Sequence, residues 1–212
     1  MNKIEDLYQA FSKYQNPKSF PTCECCFSKD EIKLIMGKKL KEISSQEMSG
    51  YASSVFLTVG SKNDFLYFFP RIFDFTVNEK LSWPDPEIVF RAIKNAEWES
   101  WPKTERQLVL DISRTKYCNL LLSKADGSDI EQWLCAISHI ESDLSDYFEM
   151  LELDENSEAF NEFIDWNLSF FNNGLLSNGF WESSPNGEQQ VKKWLSTNVV
   201  KQSLNKKYGM QF

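Results

Sequence analysis

From Ala125 to Val191 the chain carries fifteen aspartates and glutamates and not one lysine or arginine. Like charge at that density keeps a segment unfolded unless it also has apolar surface to bury. This segment has it, because Trp133, Leu144, Tyr147, Phe148, Phe160, Phe163, Trp166 and Phe171 are interleaved with the acids. The block is therefore folded protein and not a solvated tail.

The imbalance belongs to this block alone. Residues 1–124 hold 18 basic against 16 acidic groups, and residues 192–212 hold five basic and none acidic, so the net charge of −8 originates in the block. A potential this lopsided repels nucleic acid and anionic membrane and attracts a cationic partner. The five terminal lysines, Lys192, Lys193, Lys201, Lys206 and Lys207, read more simply as helix-end complements that partly neutralise the block than as a nucleic-acid patch.

A chain of 212 residues with 42% apolar content can bury a sizeable core, and it is read here as one helical domain over 1–212 with an acidic sub-region at 125–191. No run of apolar residues is long enough to span a membrane. The N-terminal Met-Asn-Lys-Ile-Glu-Asp has acids where a signal peptide needs an apolar region. Both readings place the chain in the cytoplasm. Five cysteines is an odd number, and in a reducing compartment it argues against a disulfide framework.

Nearly every long segment reads with helical period. Ile4, Leu7, Tyr8, Phe11 and Tyr14 fall on one helix face. Ser28 with Glu31 and Ser44 with Glu47 have the spacing of capping boxes, which predicts one helix ending at Gly37 and another reaching Val59. Gly60-Ser61 closes that helix and caps the next, which Pro70 should kink or divide. Trp83-Pro84 and Trp101-Pro102 place proline where a first helical turn tolerates it. Further helices are predicted over 85–98, 103–122, 128–139, 142–152, 157–172 and 187–206. Strand signals are weak. The expected class is all-α, an irregular antiparallel helical array, with HEAT-like stacking of helix pairs as one form of it.

Two constellations could carry chemistry. Cys23, Cys25 and Cys26 are potential zinc ligands, and Cys135 and His139, four apart on a predicted helix, could complete a tetrahedral site. Against this, Cys-x-Cys-Cys is a cramped arrangement for three ligands, and Cys135 lies in an apolar run where a buried thiol is the simpler reading. His139 has no serine or cysteine beside it in a nucleophile motif. Phosphate-cradling glycine loops are missing. Asp154, Asn156, Glu158, Glu162 and Asp165 mimic a calcium loop, but Ala159 stands where that loop needs glycine, and Phe160, Phe163 and Ile164 run a helical stripe through it. No cofactor is expected.

The acids themselves form the second constellation. Glu158, Glu162 and Asp165 share one helix face, and Asp143, Asp146 and Glu149 lie opposite Leu144, Tyr147, Phe148 and Leu151. With Glu141 they compose a candidate partner-binding surface, with Trp166 and Trp181 as exposed aromatic anchors.

Tyr8-x₂-Phe11-x₂-Tyr14-x₂-Pro17 followed by Cys23-x-Cys25-Cys26 resembles the opening of a family of uncharacterised bacterial proteins of similar length. Phe69-Pro70-Arg71-Ile72, Trp133-Leu134-Cys135-Ala136 and Asn178-Gly179-Phe180-Trp181 followed by Trp194-Leu195 look similar too. That resemblance implies a bacterial origin and supplies no activity. In character the chain also resembles the immunity proteins that neutralise toxins of contact-dependent inhibition systems. This second resemblance implies a non-enzymatic, antitoxin-type protein whose acidic helical surface binds a cationic toxin domain, a nuclease above all. The rival expectations are a zinc protein or enzyme built on Cys23, Cys25, Cys26, Cys135 and His139, and a helical scaffold for other proteins.

Overall fold

The computed structural model describes residues 3–23, 27–78 and 84–210. Among them the chain is all-α, with twelve helices and no strand; isolated bridges join Thr22 to Val59 and Val55 to Val59. The chain divides into two compact units, residues 1–116 and 117–212, and the division falls inside the helix Lys103–Leu122.

The first unit contains α1 (Lys3–Ala10), α2 (Lys29–Met36), α3 (Ser45–Ser54), α4 (Lys62–Asn78), α5 (Pro86–Asn95) and most of α6 (Lys103–Leu122). Local sequence explains the starts. Both capping boxes form: Ser28 and Glu31 exchange bonds at the head of α2, and Ser44 and Glu47 do so at α3. Asp64 accepts the Ser61 N–H at the head of α4 through both carboxylate oxygens, each at 2.9 Å. α4 is the hub, packing on α1, α3 and α5. Phe11, Phe69 and Trp101 meet with ring centroids 5.0, 5.1 and 5.5 Å apart, in edge or tilted contacts that add to plain area burial.

Two expectations for this unit change, and of the two alternatives at Pro70 the divided helix is removed. α3 ends at Ser54 and not at Val59, because the Ser54 carbonyl takes the N–H groups of Leu57, Thr58 and Val59 in a turn where Phe56 has φ 63°. α4 passes through Pro70 undivided. The lost bond to the Leu66 carbonyl and the ring clash cost about 3 kcal/mol, and packing of the neighbouring Phe65, Phe68, Phe69, Ile72 and Phe73, all buried, exceeds that. The proline in the first turn of α5 is Pro86, with Asp85 as N-cap; Trp83 lies outside the described residues.

The second unit contains the end of α6, then α7 (Gly127–Ile137), α8 (Ser145–Leu151), α9 (Ser157–Trp166), α10 (Leu168–Asn173), α11 (Pro185–Leu195) and α12 (Asn198–Tyr208). α7 packs most closely on α9. Gly127 permits the approach, since a Cβ there would lie 2.1 Å from the Glu162 carbonyl oxygen. The helix predicted over 157–172 divides at Asn167. That side chain is fully buried, donates to the Phe163 carbonyl at 3.3 Å and accepts the Ser177 N–H at 3.1 Å. The helix predicted over 187–206 likewise divides, as Thr197 turns extended at φ −71°, ψ 161°.

Candidate functional site

The second unit holds the whole cation-free block, so its carboxylates are the groups to account for. α8 opens at Ser145, which leaves Asp143 just outside the helix. There it accepts the Ser145 backbone N–H at 2.9 Å, and that bond lowers its carboxyl below the usual range. Leu144, Tyr147, Phe148 and Leu151 are buried, while Asp146 and Glu149 are exposed as the helical period predicts. α8 packs against α9, so the neighbour relation required of the two acidic stripes is present. On α9, Glu158 and Glu162 are exposed and Asp165 is half-buried, opposite the buried Phe160 and Phe163.

How these acids are satisfied separates them into classes. Glu158 pairs with Lys124 at 2.6 Å. Asp165 pairs with Lys207 and also accepts the Tyr208 hydroxyl at 2.7 Å. Lys124 adjoins the cation-free run, and Lys207 comes from the last helix beyond it. Glu141 accepts the Tyr147 hydroxyl at 2.6 Å, and Glu152 accepts the Trp194 indole N–H at 2.6 Å. These donors are neutral: they meet the carboxylate's hydrogen-bonding demand and leave its charge standing. Glu149 and Glu162 have no cation partner among the described residues.

The fullest example is Glu131, a residue sequence reasoning passed over. It is completely buried on α7. Oε2 accepts the Trp166 indole N–H at 2.6 Å and Oε1 accepts that of Trp181 at 2.9 Å. Burial pushes its carboxyl up from the ordinary value, and the two indole bonds hold it back. A signal existed. Glu131 lies between Gly127 and Leu134 at helical spacing, on the buried stripe of α7, and an acid on such a stripe must find donors.

The two tryptophans expected as exposed anchors part ways here. Trp166 is 44% exposed, and its indole is fixed by the bond to Glu131. Trp181 is only 1% exposed, which removes it from any partner surface. It is a core residue because it reaches inward to Glu131.

The expected zinc ligands are placed as follows. Cys23 is half-buried in the first unit, whereas Cys135 and His139 belong to the second; Cys25 and Cys26 lie outside the described residues. Among the described residues no group of three His, Cys, Asp or Glu side chains is arranged to hold a metal ion. α7 ends at Ile137, so the helical alignment of Cys135 with His139 does not extend to the histidine. His139 instead sits with its Nε2 3.3 Å from Ser183 Oγ. This contact spans 44 residues and had no sequence signal. Ser183 directs its own hydroxyl at the Phe180 carbonyl, 2.7 Å away. Activating a nucleophile needs that proton aimed at the histidine, so the contact has the geometry of a structural tie.

No family model, curated protein or solved structure matches this chain. The resemblances in the sequence therefore rest on their residues alone.

Proposed function

We propose that this chain is an immunity or antitoxin-type protein that neutralises a cationic bacterial toxin domain, a nuclease, by binding it with the acidic surface of α8 and α9. The supporting observation is the way the second unit satisfies its carboxylates. Glu141 and Glu152 are held by a phenol and an indole, and Glu149 and Glu162 stand exposed without a cation partner among the described residues. Negative charge is thus fixed in place and left uncancelled, although self-repulsion of this kind costs stability. A domain that must hold nucleic-acid phosphates is cationic. Opposite potential speeds association with it and fixes the register of docking. Trp166, exposed and pre-oriented, supplies the aromatic anchor that such interfaces favour.

The test is protection of cells from the basic protein that this chain captures at low salt. Wild-type protein should protect, and the variant carrying Asp146→Lys, Glu149→Lys, Glu158→Lys and Glu162→Lys should not, with its helical circular dichroism unchanged. Protection that survives the four reversals would remove the acidic surface from the function.

A further inference from the structure

A pocket of about 280 Å³ opens on the second unit, lined chiefly by Asp143, Phe148, Lys193, Trp194 and Thr197. It is roughly nine times the share of volume one water occupies in the liquid, so it admits a single long side chain. Its lining is aromatic: the Phe148 and Trp194 rings stack with centroids 5.2 Å apart at an interplanar angle of 9°. Planar cations stack on such surfaces, and a guanidinium does so better than a compact ammonium. One rim carries the Asp143 carboxylate. At the edge of the Trp194 ring, Glu152 accepts the indole N–H at 2.6 Å, which puts a second negative charge beside the ring. The Thr197 hydroxyl is buried with no hydrogen-bond partner among the described residues, although Thr197 occupies the N-cap of α12, where a capping bond would be ordinary.

We infer that this pocket is the socket for an arginine side chain of the cationic partner. The guanidinium lies over the Phe148–Trp194 stack, donates in its planar fork to Asp143, and offers an N–H to the Thr197 oxygen. Each feature selects within that chemistry. An apolar side chain would leave the threonine hydroxyl and the Asp143 charge unanswered, and a lysine would place a point charge where the aromatic lining suits a plane. Lys193, exposed and also part of the lining, works against any cation. It sets the sign of one variant: its removal should tighten binding. The inference rests on the proposed binding of a cationic partner and adds where its anchor goes.

The experiment is an NMR titration of the full-length protein with N-acetyl-arginine amide, followed at the Trp194 indole N–H. A saturable shift is expected. It should weaken about tenfold in Asp143→Asn, where a charge-assisted bond is lost, and tighten about threefold in Lys193→Gln, where a repulsive charge is removed. Thr197→Val, which keeps the shape and deletes the hydroxyl, should weaken it too. No saturable shift, or equal binding of the neutral citrulline amide or of the lysine amide, would overturn the socket. If the arginine amide fails while protection still depends on the acidic residues, the socket falls and the acidic-surface reading stands. If the amide binds as described and the four reversals leave protection intact, the opposite holds.

Discussion

The two units differ in the weight that they give to cations and to neutral donors in satisfying their carboxylates. In residues 3–116 acids meet cations: Glu105 with Lys13, Asp74 with Arg71, Glu47 with Lys38, Glu5 with Lys41, Glu97 with Lys62 and Glu99 with Arg106. Tyrosines join some of these groups, as Tyr8 does at Asp74 and Tyr14 at Glu105, and the buried Asp64 is an exception, held by the Tyr51 hydroxyl at 2.6 Å and by Ser61. In residues 117–212 the buried Glu131 accepts two indole N–H groups and the half-buried Glu141 accepts a phenol, all of them donors without charge. Both solutions satisfy hydrogen bonding. Neutral donors leave the charge and its field standing, and a field is of use to a partner.

The largest effect expected from this contrast is on stability. Glu131→Ala strands the buried Trp181 indole N–H and removes packing, which should cost about 3 kcal/mol in a urea melt. The matched change in the first unit, Glu105→Ala, frees Lys13 and Tyr14, both of which reach solvent, and should cost about 1 kcal/mol. Equal costs would break the comparison.

The pH response of the two units should run in opposite directions. The Glu131 carboxyl is raised by burial in the folded chain, so its contribution to stability is fully present below its unfolded value and is lost as pH rises through the folded one. Glu47 is lowered to about 2, first by its bond to Lys38 and then by Ser44. Its contribution is present above the unfolded value and is lost as pH falls toward 2. Urea midpoints measured from pH 3 to pH 7 should therefore show the wild-type advantage over Glu47→Gln shrinking toward acid. The difference between wild type and Glu131→Gln should move against the wild type as pH rises.

The smallest effect concerns the flanking lysines. Lys124→Gln and Lys207→Gln release Glu158 and Asp165 from their only cations among the described residues. Stability should barely change, because exposed pairs contribute little. Association with the cationic partner should quicken a few-fold at low salt and lose that gain as salt rises.

What the sequence disclosed follows from the range over which each feature is decided. The capping boxes at Ser28 and Ser44 are settled within four residues, and both were legible. The acidic faces of α8 and α9 were legible because exposure follows the helical period. The breaks at Asn167 and Thr197 were not. Asn167 interrupts its helix by taking the N–H of Ser177, ten residues on, and propensity alone carried the helix through. Glu131 and Trp181 were missed for the same reason, since 50 residues separate the carboxylate from its indole. A tryptophan in sequence looks the same whether it anchors a partner or closes a core. The pocket at Asp143 was likewise out of reach, because α8 and the junction of α11 with α12 meet only in the fold.

The most direct test of the account is capture of the partner by three forms of the full-length protein at low salt, with release by ~0.5 M salt. The forms are wild type, Glu149→Lys with Glu162→Lys, and Glu158→Gln with Asp165→Asn. The account predicts that wild type retains one basic protein and releases it with salt. The double reversal should lose it, and the form altered only at cation-paired acids should keep it. Retention of the same protein by all three forms would contradict the claim that uncancelled charge in the second unit recruits the partner.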